Sequence, residues 1–408
     1  MLKEEQLDLD LPEEVVVNIL CRLPVKSLIR FTCVSKRWRS LIISDHQFGN
    51  SHFQLASHLR RNVLLATNPT LVEEGTPGTP SMEPLPTRFQ SLADRFPIRE
   101  LTCPSELKSN IVVLGSCNGL VVSGKFQYSI VPQGRLYCDF LISLVIWNPS
   151  TGFFRKIPSP SFLIGMEKLA YEKQIRFVNR VYYGFGQVST SDDYKLVVMP
   201  KIGDLMEVHV FSVKANSWKV VKTPYLWPYP LWSKERGTHS NGAIHWVSQH
   251  EPVIFEPRVN VFYAFDLASE EFREIPLPVL VHNEYSLRLR MTLVRTPVLL
   301  GGCLCVMFRD YDEYHDIWVM KEYGVHESWV KLFRFRAHDS TYHWNPIFIA
   351  EDGTVVISVP RAMEVVRIKC RKDEELVCTD RYSLEKEPGW KYLLDAILYD
   401  ETLVSVPE

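Results

Sequence analysis

Five side chains that could bind a metal ion lie close together in one stretch of the sequence. These carboxylates and this imidazole belong to Asp310, Asp312, Glu313, His315 and Asp316. Calcium loops need a glycine at their sharp turn, whereas Tyr311 and Tyr314 are interleaved here. The sequence therefore predicts a solvated loop between two strands, and no metal site.

Other patterns that could support catalysis are incomplete. Gly184-Phe185-Gly186 lacks the third glycine of a dinucleotide-binding loop and lies in a β context. No Gly-x-Ser-x-Gly nucleophile elbow occurs in the sequence. His338 and His343 lack the cysteine or carboxylate pair that would complete a zinc site. We therefore predict a chain that is not an enzyme and that uses no cofactor.

Composition narrows the class of partner. The 408 residues are 46% hydrophobic and 23% charged, as in an ordinary globular protein with a sizeable core. The formal net charge of -2 predicts no general attraction to nucleic acid or to an anionic membrane. A nucleic-acid contact is one interpretation of the basic run Lys36, Arg37 and Arg39, but a solvated helix face is favoured. We therefore expect a protein partner, recognised by local shape.

The sequence also bears on location. The longest apolar runs, such as residues 140–147, are far shorter than the roughly 20 residues that span a bilayer. Residues 1–10 are acidic and polar, unlike a signal peptide. Nine cysteines without a repeating spacing favour reduced thiols over disulfides. We expect a soluble protein of the cytoplasm, the nucleus or both.

Residues 11–48 have the period of helices. Pro12 suits a first helical turn, Pro24 ends that helix, and Ser35 is a candidate N-cap further on. One apolar stripe recurs every four residues, at Val15, Ile19 and Leu23. Three short helices have too little volume to bury all their apolar side chains among themselves. Part of the stripe should therefore face another protein.

From about residue 55 the pattern changes to that of strands. Four turn dipeptides each precede a short apolar run, at Asn118-Gly119, Asn241-Gly242, Gly301-Gly302 and Asp352-Gly353. Such dipeptides suit tight β-turns, which need positive φ angles. The sequence therefore predicts an all-β region.

A second element repeats between these turns. In each copy one aromatic residue precedes another by seven positions, as in Trp147 and Phe154, Phe211 and Trp218, and Phe265 and Phe272. A fourth copy ends at Trp329, so the second aromatics recur roughly every 50–65 residues, as propeller blades do. We predict a β-propeller-like domain of about six blades, closed by residues 392–406. A two-sheet β-sandwich is the alternative.

Two kinds of loop stand out in this region. Residues 67–98 contain six prolines among polar residues and predict a long flexible insertion in the first blade. Other loops concentrate aromatic side chains, which dominate protein interfaces. Packing against the rim of the domain is the alternative role for these aromatics. The candidate target-binding residues are Tyr225, Trp227, Tyr229, Trp232, Tyr311, Tyr314, Tyr342 and Trp344.

The first 50 residues resemble an F-box. The matching segments are residues 11–14, 19–28 and 33–42. The resemblance implies a three-helix domain, residues 1–50, that docks on the Skp-type adaptor of a cullin-based ubiquitin ligase. Asn18 stands where the family often has an acidic residue, which removes a charge but keeps the apolar stripe. The residues that should form or support the docking face are Leu11, Pro12, Ile19, Leu20, Leu23, Pro24, Val25, Leu28, Val34, Trp38 and Leu41.

Residues 110–280 resemble the plant F-box-associated, kelch-like domain. The resemblance rests on residues 115–120, 147–152, 184–186, 192–197 and 239–246. It implies that residues 51–408 recognise a target protein, whose identity it does not give. The chain would then be a substrate-recognition subunit of an SCF-type (Skp-cullin-F-box) E3 ubiquitin ligase. The alternatives are an F-box scaffold or sequestering protein outside a ligase, or a propeller that is an enzyme or binds glycans.

Overall fold

The structure is a computed structural model of the 408-residue chain. It describes residues 11–56, 61–71, 86–92, 98–102, 104, 107–131, 135–160, 178–202, 205–222, 235–250, 259–278, 298–300, 302–309, 314–336, 345–350, 352–360, 362–370, 376–384 and 390–407.

Four α-helices begin the described chain, where the sequence predicted three. They are α1 (Glu13–Leu20), α2 (Val25–Phe31), α3 (Lys36–Ser44) and α4 (His46–Ala56). The Ser35 hydroxyl accepts a hydrogen bond from the Trp38 N–H at 3.1 Å, which confirms the predicted N-cap of α3. Helix α4 was missed because its sequence is rich in His, Gln, Asn and Gly and has a weak apolar period. It runs past residue 50, where the predicted helical domain ends.

The rest of the described chain forms six antiparallel blades of four strands each. Blade 1 contains β1 (Arg61–Leu71), β2 (Arg88–Leu92), β3 (Ile98–Glu100) and the last strand, β26 (Trp390–Asp400). Blade 2 contains β4 (Ile111–Cys117), β5 (Leu120–Val131), β6 (Arg135–Trp147) and β7 (Phe154–Ile157). Blade 3 contains β8 (Val178–Val188), β9 (Asp193–Ile202), β11 (Val208–Ser212) and β12 (Ser217–Val221), with the short strands β10 (Leu205–Met206) and β13 (Glu235–Arg236) beside them.

The other three blades follow in chain order. Blade 4 contains β14 (Thr238–Ser240), β15 (Ala243–His250), β16 (Val259–Asp266) and β17 (Phe272–Ile275). Blade 5 contains β18 (Val298–Leu300), β19 (Cys303–Arg309), β20 (Tyr314–Met320) and β21 (Trp329–Arg336). Blade 6 contains β22 (Asn345–Ile349), β23 (Thr354–Val359), β24 (Glu364–Cys370) and β25 (Leu376–Ser383). Blades 5 and 6 touch through their inner strands, β18 and β22, which pair in parallel.

The two ends of the propeller sequence meet in blade 1 and close the ring. Strand β26 pairs antiparallel with β1 along its whole length, from Arg61 opposite Asp400 to Leu71 opposite Trp390. The prediction that residues 392–406 close the ring is therefore confirmed for residues 392–400, which belong to β26. The alternative of a β-sandwich is wrong, because the strands form six stacked blades rather than two facing sheets.

The repeated aromatic pairs are cross-strand neighbours in the outer half of blades 2, 3 and 4. Trp147 lies opposite Phe154 across β6 and β7, and the other two pairs occupy the same position in blades 3 and 4. The ring centroids of Phe265 and Phe272 are 4.8 Å apart. Such pairs stabilise adjacent strands. The predicted repeat therefore marks the third and fourth strands of a blade.

The hydrophobic core is divided among the interfaces between neighbouring blades. Leu120 and Val122 of blade 2 pack with Phe185 and Leu196 of blade 3, all of them buried. Outer strands are also joined, because the Trp218 indole N–H of blade 3 donates to the carbonyl of Pro158, just after blade 2, at 2.7 Å. A single blade could not cover both of its faces, so stability depends on stacking.

The predicted insertion at residues 67–98 is narrower than the sequence suggested. Residues 67–71 belong to β1 and pair with β26, and β2 also lies within the range. Pro69 lies beyond Thr67, the last residue of β1 that pairs with β2. Only β26 therefore flanks β1 at Pro69, and such a one-sided position is where a strand tolerates proline. Residues 72–85 and 93–97 of the range lie outside the described residues.

Candidate functional site

An apolar stripe on the helices faces solvent. Leu11, Val15 and Ile19 follow one another at intervals of four residues, and their surfaces are 59%, 41% and 49% exposed. Val34, just before α3, is 63% exposed, and Pro12 is exposed too. We call Leu11, Pro12, Val15, Ile19 and Val34 the helical docking surface. Exposed aliphatic side chains that are adjacent on one face typically mark an interaction site.

The remaining predicted docking residues lie behind this surface. Leu20, Val25 and Leu28 are fully buried and pack with Cys21, Ile42 and Phe48. Leu23, Pro24, Trp38 and Leu41 are partly buried around the same cluster. The sequence stripe therefore contains two faces, one that holds the helices together and one that is open. Val15, which was not among the predicted docking residues, belongs to the open face.

Contacts between α1, α2 and α3 fix the shape of the docking surface. The Arg37 guanidinium lies 2.6 Å from a Glu13 carboxylate oxygen, so the beginnings of α1 and α3 are adjacent. The hydrogen bond and charge of Arg37 lower the pKa of the Glu13 carboxyl. Phe31 and Trp38 meet edge to face, with ring centroids 5.5 Å apart. Leu11 and Val34 precede these two adjacent helix beginnings in the chain, which is consistent with their belonging to one surface.

The propeller has two faces, which its antiparallel strands define. On the near face, the first strand of blades 2 to 6 leads into the second, and the third strand of every blade leads into the fourth. On the far face, the second strand leads into the third and the fourth leads to the next blade. The near face has tight turns with positive φ, such as Gly119, Gly152 and Gly242. Helix α4 lies at this face, where Phe53 packs on the core of blades 2 and 3.

The predicted target-binding residues belong to connections of the far face. Tyr225, Trp227, Tyr229, Trp232, Tyr311, Tyr342 and Trp344 lie outside the described residues. The described strands that flank them are β12 and β13, β19 and β20, and β21 and β22, and each of these connections joins strand ends at the far face. Tyr314 is described, begins β20 and is partly exposed, with Arg334 4.5 Å from its ring centroid. The helices are therefore on the opposite face from all of these strand ends.

The structure describes only part of the acidic cluster at residues 310–316. Asp310, Asp312 and Glu313 lie outside the described residues, and so do His338 and His343. His315 is buried against Phe335, and Asp316 pairs with Lys331 at 3.0 Å. Within the described part of the chain, no group of three or more His, Cys, Asp or Glu side chains could hold a metal ion. No described helix is long and apolar enough to cross a membrane.

A buried cysteine and a largely buried histidine meet at the inner strands of blades 2 and 4. Cys117 Sγ lies 3.6 Å from His239 Nδ1. Burial raises the pKa of the Cys117 thiol to about 12 and lowers the pKa of His239. A thiol with that pKa is almost entirely protonated at neutral pH, so this pair does not provide an activated nucleophile.

A second buried histidine joins blade 4 to blade 5. His245 Nε2 lies 2.7 Å from the Tyr323 hydroxyl, and His245 Nδ1 lies 3.1 Å from the carbonyl oxygen of Thr238. Arg273 donates to the same hydroxyl at 2.9 Å. Burial lowers the pKa of His245 to about 4, helped by the nearby charge of Arg273. Neutral His245 therefore donates from Nδ1 and accepts at Nε2, a structural role between blades.

Known proteins share both parts of this architecture. The family described as "F-box associated beta propeller domain" matches residues 101–406, and the F-box domain family matches residues 9–48. F-box protein CPR1 of Arabidopsis thaliana is 29% identical over 370 residues, which cover 85% of this chain and 79% of that protein. An F-box/kelch-repeat protein of Arabidopsis thaliana is 28% identical and covers 85% of both chains.

A solved structure has a more distant likeness. The crystal structure of a protein from Lactobacillus plantarum aligns with a TM-score of 0.41 and 8% identity, over 80% of this chain and 83% of that chain. A likeness at this level carries no argument about function. The family match over most of the chain, together with the six blades behind an F-box, shows that this chain belongs to the F-box-associated β-propeller family.

Proposed function

We propose that this protein is a substrate-recognition subunit of an SCF-type E3 ubiquitin ligase. The helical docking surface binds a Skp-type adaptor, which connects the chain to a cullin. The propeller binds a target protein. The observation that carries the proposal is the open apolar stripe of Leu11, Val15 and Ile19 on an F-box whose other apolar face is already filled.

The proposed mechanism is positional. Helices and the strand ends that flank the aromatic loops lie on opposite faces of the propeller, so an adaptor and a target would not compete for one surface. Holding both raises the effective concentration of a target lysine near a ubiquitin-charged enzyme that another subunit carries. No side chain of this chain needs to form or break a bond. We place this activity in the cytoplasm, the nucleus or both.

Adaptor binding by the full chain tests the first half of the proposal. Ile19→Asp puts a charge in the middle of the docking surface, and we expect it to weaken binding to a purified Skp-type adaptor by more than about tenfold. Leu55→Asp is the matched control, because Leu55 of α4 is also aliphatic and is 47% exposed, close to the 49% of Ile19. Calorimetry of the two variants and the wild type gives the comparison. Equal binding by both variants, or no binding by the wild type, would contradict the proposal.

Protein turnover tests the second half. Proteins that this chain targets should accumulate in cells that lack it, and equally in cells that carry only the Ile19→Asp variant. Quantitative proteomics with ubiquitin-remnant enrichment measures both effects. Binding partners that neither accumulate nor lose ubiquitin would instead indicate a scaffold or sequestering role.

A further inference from the structure

The last described residues of the chain, 401–407, run between the helices and the propeller. We call them the C-terminal tail. Leu403 is buried in the helical cluster beside Leu28 and Phe48. Thr402 and Val404, on either side of it, are also buried, and Val404 packs on the core of blades 2 and 3. Successive side chains of an extended segment point in opposite directions, so one short segment contacts both parts of the molecule.

Blade 2 binds the backbone of the tail through a buried amide and a guanidinium group. Asn148 Nδ2 donates to the carbonyl oxygens of Thr402 at 3.1 Å and Val404 at 2.9 Å. Arg155 donates to the carbonyl oxygen of Pro407 at 2.8 Å. Asn148 is fully buried, so its removal would leave buried carbonyl groups without these donors, which is costly.

A glycine turn completes the binding site for the tail on blade 2. Gly119 has a φ of +77°, and a Cβ built there would lie 1.7 Å from Thr402 Cγ2. No other residue fits without moving the tail. The segments 115–120 and 147–152, which carried the family resemblance, thus supply both the turn and the amide that hold the tail.

Helix α4 provides the opposite wall. A Cβ at Gly49 would lie 3.0 Å from the carbonyl oxygen of Leu403, so the helix and the tail are in close contact there. Phe53, one turn further along α4, packs on the same core as Val404 and Val406. His52 Nε2 lies 2.9 Å from the carbonyl oxygen of Leu23, which ties α4 to the connection between α1 and α2.

We propose that the C-terminal tail is the element that fixes the orientation of the helices on the propeller, with Leu403 and Asn148 as its positioning residues. Leu403 acts on the helical side and Asn148 on the propeller side. The inference rests on these contacts and does not require the proposed function. If that function holds, the tail also sets the distance between the bound adaptor and the bound target.

Two variants and one matched control separate the tail contact from ordinary destabilisation. Leu403→Ser removes the apolar side chain from the helical cluster and leaves the hydrogen bonds to blade 2 in place. Asn148→Ala removes the amide that binds the tail. Asp266→Ala is the control, because Asp266 has the same repeat position in blade 4 and accepts from the backbone N–H groups of Ala268 and Ser269 at 2.9 Å. Asn148 likewise accepts a hydrogen bond from the backbone N–H of Ser150 in its own turn. Asn148→Ala and Asp266→Ala therefore both remove a turn contact, but only Asn148→Ala also removes the contact with the tail.

Distance distributions between spin labels measure the orientation in the full chain. Arg39 of α3 and Val220 of β12 are both exposed and suit labels carried by noncanonical amino acids, since Cys33 is exposed and would compete for thiol labels. We expect one narrow distribution for the wild type and for Asp266→Ala. For Leu403→Ser and Asn148→Ala we expect the width to increase about twofold or more.

The outcomes decide the proposal in either direction. A narrow, wild-type distribution in Leu403→Ser overturns it, and so does equal broadening in Asp266→Ala. Circular dichroism reports whether Asn148→Ala lowers the stability of the propeller. If it does, the distance distribution of Leu403→Ser alone decides the proposal. A wild type that binds no adaptor contradicts the proposed function and leaves the distance measurement valid.

Discussion

Ile19 of α1 and Ile146 of β6 are both isoleucines on regular elements with apolar neighbours. Ile19 is 49% exposed, whereas Ile146 is fully buried between blades 2 and 3. The helices are too few to enclose every apolar side chain they carry, while each blade is covered by the next one around the ring. The difference shows that an apolar pattern is left open in one region of this molecule and buried in the other, which the proposed function explains as binding in the first and stability in the second.

The comparison predicts its largest effect for a substitution inside the propeller. Trp147 is fully buried, its indole N–H donates to the Ser123 hydroxyl at 3.0 Å, and its ring meets Phe89. We expect Trp147→Ala to lower the free energy of unfolding by about 3–5 kcal/mol in denaturant titrations, since it leaves a large cavity. The exposed Val220→Ala should change it by less than about 0.5 kcal/mol. Similar values for the two would show that burial between blades does not stabilise the propeller.

A fall in pH should lower the stability of the propeller. His245 has a pKa of about 4 in the folded protein and an ordinary value near 6.5 when unfolded, so the unfolded state takes up a proton first as the pH falls. Stability is then unaffected above about pH 7 and decreases between about pH 6.5 and 4, by up to about 3 kcal/mol. His209 and His239, whose pKa values burial also lowers, act in the same direction.

A variant of that histidine sharpens the test. His245→Gln keeps a donor for Thr238 and an acceptor for Tyr323 but cannot titrate. Its stability should therefore decrease less than that of the wild type between pH 6.5 and 4, as measured by thermal unfolding at several pH values. An unchanged pH dependence would assign the effect to other groups.

A smaller effect on stability, with a specific effect on binding, is expected for the docking surface. The double variant Leu11→Ala, Pro12→Ala removes exposed apolar surface, so we expect most adaptor binding to be lost, a decrease of about tenfold or more. Residues 55–408 should remain folded in circular dichroism. Loss of the β signal together with binding would mean that these two residues contribute to the fold.

The smallest effect is expected for the ion pair at the edge of that surface. Glu13 and Arg37 are both largely exposed, and water and salt screen such pairs. We expect Glu13→Gln to leave the thermal midpoint unchanged within experimental error, and adaptor binding to change little. A clear drop in either quantity would show that the ion pair orders the docking surface.

Patterns within short windows predicted much of this architecture. The strands that begin at Leu120, Ala243, Cys303 and Thr354 follow the turn dipeptides as expected. The aromatic repeat identified the third and fourth strands of the blades because cross-strand partners in a hairpin are close in sequence. The alternation of apolar residues is likewise a local property.

The candidate site was harder to predict because burial depends on distant residues. Leu20 and Ile19 are neighbours in one apolar run, yet only Leu20 is buried, in the cluster that Leu403 also joins. Helix α4 lacks a strong pattern and is held by the C-terminal tail and the core of blades 2 and 3. Neither contact leaves a signal in a local window.

The sequence by itself determined the two kinds of region, the N-cap of α3, the repeat of the blades and the strand that closes the ring. These features depend on residues within one helix, hairpin or repeat, where local geometry sets the period. Pro24, predicted to end α1, instead precedes α2, and α1 already ends at Leu20. Only the tertiary structure decided which face of α1 is open, and that residues 401–407 lie between the helices and blade 2. Those outcomes depend on contacts between residues more than 250 positions apart, such as Asn148 with Thr402 and Val404, which form only when the ring has closed.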